Sequence, residues 1–60
     1  MSPNLGTMVY WRWKDKGGVW IFGYVSDAGS RGLLRMGHYN GDTHGGVVVD
    51  PDEIEWRKYG

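Results

Sequence analysis

From Thr7 to Lys14 apolar and polar positions alternate: Val9, Trp11 and Trp13 share one side of an extended chain, and Met8, Tyr10, Arg12 and Lys14 share the other. Successive side chains of a β-strand point to opposite faces, so this stretch predicts a first strand. Asp15-Lys16-Gly17-Gly18 predicts a turn, because glycine enters the positive-φ conformations that tight connections need. Val19 to Ser26 predicts a second strand, with Val19, Ile21, Gly23 and Val25 on one face and Trp20, Phe22 and Tyr24 on the other. Both of its faces are apolar, so one of them covers something besides solvent. Gly23 in mid-strand marks a bend or a close backbone approach.

Ser26 to Gly32 is a polar loop, and Gly32 to Tyr39 predicts a third strand in which Leu33, Arg35 and Gly37 alternate against Leu34, Met36 and His38. Asn40-Gly41 is a strong hairpin signal of the type I′ kind, extended by Asp42 to Gly46. The β-branched run Val47-Val48-Val49 predicts a fourth strand. Asp50-Pro51-Asp52-Glu53 predicts a single helical turn, since Asp50 can cap, Pro51 suits the first position and the following acids favour the N-terminal end. Ile54 to Lys58 predicts a fifth strand. The fold class that follows is all-β: a small five-stranded barrel, residues 7–60, with one short 3-10 turn before the last strand and a loose lead-in at residues 1–6. Its expected core is Val9, Trp11, Val25, Leu34, Val47, Val49 and Ile54.

Composition sharpens this picture. A chain of 60 residues is one domain, and such a domain buries only about 60% of the surface its unfolded chain exposes. With no cysteine and only His38 and His44 as imidazoles, the core must hold by packing. Four tryptophans, four tyrosines and one phenylalanine supply it, and a barrel this small cannot enclose them all. No apolar run reaches the roughly 20 residues that span a bilayer, and the first residues lack a signal-peptide pattern, which predicts a soluble, cytoplasmic protein with no membrane partner.

Net charge is zero, which disfavours a protein that neutralises many phosphates. The charges are nevertheless segregated: residues 7–35 carry Arg12, Lys14, Lys16, Arg31 and Arg35 against Asp15 and Asp27, whereas residues 36–60 carry five acids against Arg57 and Lys58.

The stretch Gly6-x-x-Val9-x-x-Arg12-Trp13-x-Asp15, followed by Trp20-Ile21-Phe22-Gly23-Tyr24-Val25, resembles the opening of Tudor-type domains, and Tyr39-Asn40-Gly41-Asp42 and Asp52-Glu53-Ile54 resemble their later hairpin and terminal turn. The resemblance implies an SH3-like barrel. In methyl-reading members an aromatic cage draws in a methylated ammonium by cation–π attraction. Trp13 matches the family's first-strand tryptophan, Ile21 stands where the cage tyrosine would be, Tyr39 or His38 falls at the hairpin position, and Trp20 is a substitute wall. The segment Gly46-Val47-Val48-Val49-Asp50-Pro51, with Ile54-Glu55 after it, is similar to that of the type II dihydrofolate reductases, which are also SH3-like barrels and assemble as tetramers around a central pore. Val48 and Asp50 replace the pore glutamine and tyrosine, so this likeness implies a shared scaffold and a homo-oligomer without the activity.

Catalytic chemistry finds little support. Nucleophile candidates reduce to Ser26, Ser30, Thr7 and Thr43; His38, Asp42 and His44 around the Asn40-Gly41 turn are a weak metal set; and the acids near Pro51 serve as caps and surface charge. No enzyme activity, metal or cofactor is implied. The aromatics carry the functional expectation: a binding module taking a protein or peptide ligand on an aromatic, partly basic surface formed from Trp13, Trp20, Phe22, Tyr39, Tyr10, Arg12, Lys14 and Arg35. Nucleic-acid binding through the basic residues and a homo-oligomer covering its own aromatics are the alternatives.

Overall fold

The computed structural model describes residues 2–39 and 45–59. Five strands form: β1 (Met8–Trp13), β2 (Ile21–Asp27), β3 (Leu34–Gly37), β4 (Val47–Val49) and β5 (Ile54–Lys58), with a 3-10 turn at Pro51–Glu53. They make one antiparallel sheet in the order β4-β3-β2-β1-β5, and the described residues contain no α-helix. The all-β class and the element order are those expected from the sequence.

Three strands are shorter than their patterns suggest. β1 lacks the predicted ends Thr7 and Lys14. β2 starts at Ile21 instead of Val19, because Gly17 (φ 59°) and Gly18 (φ 82°) are both left-handed and carry the chain away from the ladder. Val19 is then 84% exposed. Lys16 and Gly17 N–H both donate to the Trp13 carbonyl, at 3.3 and 3.1 Å, which closes the turn before pairing resumes with Trp11 opposite Ile21. β3 covers Leu34–Gly37 and not the whole of Gly32 to Tyr39, since the β2–β3 connection ends in its own turn, with Leu33 N–H donating to the Ser30 carbonyl at 2.7 Å. The Asn40-Gly41 hairpin signal lies outside the described residues.

The sheet has to curl. β4 and β5 are its opposite edges, four strand spacings of about 4.8 Å apart, or about 19 Å if flat. The path from Val49 to Ile54 contains a 3-10 turn, which advances only about 2 Å per residue, so it reaches roughly 14 Å. Its ends can meet only if the edges approach, and Val49 and Ile54 duly enter one core with Val9, Trp11, Val25, Leu34 and Met36. β4 and β5 do not pair, so the result is barrel-like without a closed ladder. Asp50 caps the turn as expected: its Oδ1 accepts from Asp52 N–H at 3.0 Å, and Pro51 occupies the first turn.

Val47 is a correction to the expected core. It alternates with Val49 but is 43% exposed, whereas Met36, its register partner on β3, is 2% exposed and joins the core. The Pro51–Glu53 turn ties the Val49 end of β4 to β5, and Val47 stands at the other, open end. Alternation alone does not show where the curl closes.

Gly23 explains how an indole fits so small a core. A Cβ there would lie 2.8 Å from Trp11 Nε1 and 3.0 Å from its Cδ1, closer than side-chain carbons approach, so the missing methyl is the space Trp11 occupies. The N-terminal segment is tied to the same strand: Gly6 N–H donates to the Val25 carbonyl at 2.7 Å, and Pro3 is buried.

Candidate functional site

Alternation that sends Val9 and Trp11 inward sends Tyr10 and Arg12 outward, and β1 lies between β2 and β5. The register sets Tyr10 beside Phe22 on one side and Arg57 on the other, and Arg12 beside Glu55. The outer face of these strands is therefore assembled from distant parts of the chain. Tyr10, Phe22 and Tyr59 close into a cluster with ring centroids 5.4 Å (Tyr10–Phe22), 5.7 Å (Tyr10–Tyr59) and 4.9 Å (Phe22–Tyr59) apart. Their planes meet at 49–62°, the tilted geometry that aromatic quadrupoles prefer. Phe22 and Tyr59 remain 38% and 57% exposed, so this is an apolar surface with open edges and not a second core.

Beside it stands Trp20, half-buried just before β2. The guanidinium carbons of Arg12 and Arg57 lie 4.3 and 4.7 Å from its ring centroid, and that of Arg57 is also 5.6 Å from the Tyr10 ring. Such contacts contribute about 0.5–1 kcal/mol each at exposed sites. The two arginines differ in their other partners. Arg12 donates from one terminal nitrogen to the Gly18 carbonyl at 2.8 Å and from the other to Glu55 Oε2 at 3.3 Å, which holds it firmly in place. Its Nε is buried with no hydrogen-bond partner. Arg57 has ring contacts and, among the described residues, no carboxylate partner.

Of the residues expected to bind, Tyr10, Arg12, Trp20 and Phe22 come together here. Trp13 does not: it packs edge-on against Trp11, centroids 5.5 Å apart, as part of the layer around the core. It lines an open depression of about 430 Å³ with Lys14, Asp15, Lys16 and Glu53, where Lys14 N–H donates to the Glu53 carbonyl. Arg35 projects from β3 between Ser26 and Val48 in register, and Tyr39 lies beyond the end of β3, 66% exposed. Neither touches the ring cluster. Ile21 shares the side of Trp11, across the sheet from Phe22.

Sequence reasoning missed Arg57 and Tyr59. The signal was present, since Glu55, Arg57 and Tyr59 alternate with Ile54 and Trp56, but it acquires meaning only once β5 is known to pair with β1. Among the described residues no cluster of His, Asp or Glu could hold a metal; Asp42 and His44 lie outside them. No helix among the described residues is long and apolar enough to cross a membrane. Neither a family model, a curated protein nor a solved structure matches this chain. The functional reading therefore rests on the residues of the outer face themselves.

Proposed function

We propose that this chain is a non-catalytic binding module of SH3-like build, and that the outer face of β1, β2 and β5 takes a protein or peptide ligand. The strand order β4-β3-β2-β1-β5 and the 3-10 turn before the last strand support the SH3-like reading. The observation that carries the function is the contiguity of Tyr10, Phe22, Tyr59, Trp20, Arg12 and Arg57 on one partly exposed surface. Tyrosine, tryptophan and arginine are the side chains that dominate binding energy at protein interfaces, because they bring large rigid area and directional donors together.

A methylated ammonium is a poorer fit. Trp20 already faces two guanidinium groups of its own chain, and the open depression that Trp13 lines is completed by Lys14, Asp15, Lys16 and Glu53, with no second ring among the described residues to make a cage. Successive nucleic-acid bases need separate stacking shelves and phosphate-binding cations. The ring cluster is instead closed edge against face, and the chain is electrically neutral.

Selection of a random peptide display library on the immobilised protein tests the proposal. Selected peptides, synthesised and titrated, should shift the amide resonances of Tyr10, Phe22 and Arg57, and Tyr59→Ser should weaken them about tenfold, as for loss of an interface anchor. Enrichment that is indifferent to Tyr59→Ser and to Phe22→Ser would place the ligand elsewhere and overturn it.

A further inference from the structure

We infer that the ligand of this face presents a carboxylate next to a large apolar side chain, the carboxylate meeting Arg57 and the apolar group meeting Tyr10, Phe22 and Tyr59. This rests on the peptide-binding reading above and names its chemistry. The first ground is the charge of the face. Within β1, β2 and β5 its outward ionic groups are Arg12 and Arg57 against Glu55 alone, although the whole chain is neutral. The compensating acids Asp50, Asp52 and Glu53 sit at the turn between β4 and β5, outside the ring cluster.

The second ground is how Arg57 is held. A guanidinium stacked on rings uses the face of its plane and leaves its N–H donors, which lie in the plane, free for acceptors. Arg12 has spent two of these nitrogens on Gly18 and Glu55. Arg57 lies against two rings, its guanidinium carbon 4.7 Å from the Trp20 centroid and 5.6 Å from that of Tyr10, and among the described residues no acceptor takes its N–H donors. The group that matches a planar fork is a two-oxygen anion bound side-on, a charge-assisted pair about twice as strong as a neutral hydrogen bond. The partly exposed Phe22 and Tyr59 pack against the same tyrosine that Arg57 approaches, which places the apolar contact next to the anion. Among the described residues one arginine at the rings, Arg57, has no acceptor, which suits a single carboxylate better than a run of phosphates.

The experiment uses the selected peptides as probes, capped at both ends so that only side chains carry charge. The enriched sequences should share an Asp or Glu within two positions of a Leu, Phe or Trp. Replacing that carboxylate by its amide should raise Kd about tenfold or more, as expected for loss of a charge-assisted pair. Arg57→Gln should raise Kd for the acidic peptide by a similar factor and leave the amide peptide's Kd almost unchanged, so that the two changes are not additive. Arg57→Lys should recover only part of the affinity, because an ammonium lacks the fork. Arg31→Gln, the same change of charge in an exposed loop, should alter nothing beyond the weak screened field. Acidic and amide peptides binding alike at this face would overturn the inference and leave the binding-module reading intact. Arg57→Gln weakening both peptides equally would also overturn it, by showing that Arg57 acts through packing. No peptide responding to Tyr59→Ser, with a short oligothymidylate binding instead and losing affinity steeply with salt, would overturn both.

Discussion

The two sides of β1 use the same kinds of residue for opposite ends. Inward, Trp11 is 3% exposed and lies over Gly23, enclosed by Val9, Val25 and Ile54. Outward, Tyr10 joins Phe22 and Tyr59 in a cluster whose members stay open to water. Burying a large side chain stabilises by about 1.5–3 kcal/mol, whereas partly exposed ring pairs and stacked arginines contribute less than that apiece. The inner side therefore holds the fold, and the outer side can be specialised without unfolding it. A domain this small has little stability to spare, so that separation is what makes a dedicated surface possible.

The comparison breaks most visibly at Trp11. Trp11→Ala should cost about 3–5 kcal/mol, enough to unfold a domain of this size, and loss of a cooperative thermal melt is the expected result. Phe22→Ala, on the other side of the sheet, should leave a folded protein with a melt only modestly lowered. Equal losses would mean that the outer rings are a second core.

Gly23→Ala sharpens the same contrast. The added methyl would meet the Trp11 indole at 2.8 Å, and overpacking of that kind costs about 1–3 kcal/mol. In a Trp11→Phe background the cost should shrink, because the smaller ring vacates the contact; urea denaturation of the two single variants and the double variant measures the coupling. Additive losses would show that the clash is relieved by the backbone and not by the indole.

Two smaller effects concern the edges. Asp50→Ala should cost about 1 kcal/mol through loss of the cap on the turn that joins the edge strands. Along β4, Val49→Thr should destabilise clearly and Val47→Thr by less than about 0.5 kcal/mol, since only the first buries a hydroxyl. Smallest of all, Glu55→Gln should change stability by less than about 1 kcal/mol, and by less still in high salt, because its pair with Arg12 is partly exposed. A larger salt-insensitive loss would assign Glu55 a role in packing.

Much of this was legible from local pattern. Alternation and the β-branched run at Val47-Val48-Val49 helped locate the five strands, Val9, Trp11, Val25, Leu34, Val49 and Ile54 were expected in the core, and capping and proline preference marked Asp50-Pro51 as the start of a turn. Alternation also placed Tyr10 and Arg12 opposite Trp11, and Phe22 opposite Gly23, because the period of a strand is a property of the backbone and needs no partner. The same pattern misjudged Val47, whose exposure depends on where the sheet curls, and it could not tell that Trp13 completes the layer around Trp11 while Trp20 leaves the strand to stack with arginines.

What the sequence alone determined, then, is which residues can share a face: period-two alternation, turn glycines and the proline cap act within a few residues of one another. What the tertiary structure decided is which faces meet. Arg57 and Tyr59 reach Tyr10 only because β5 lies antiparallel to β1, a pairing between residues more than forty positions apart along the chain. That pairing follows from closure: a short turn must join the two edges of a sheet, so the sheet curls, and the curl encloses Val49 and Ile54 while leaving the outer rings and Arg57 on the convex side.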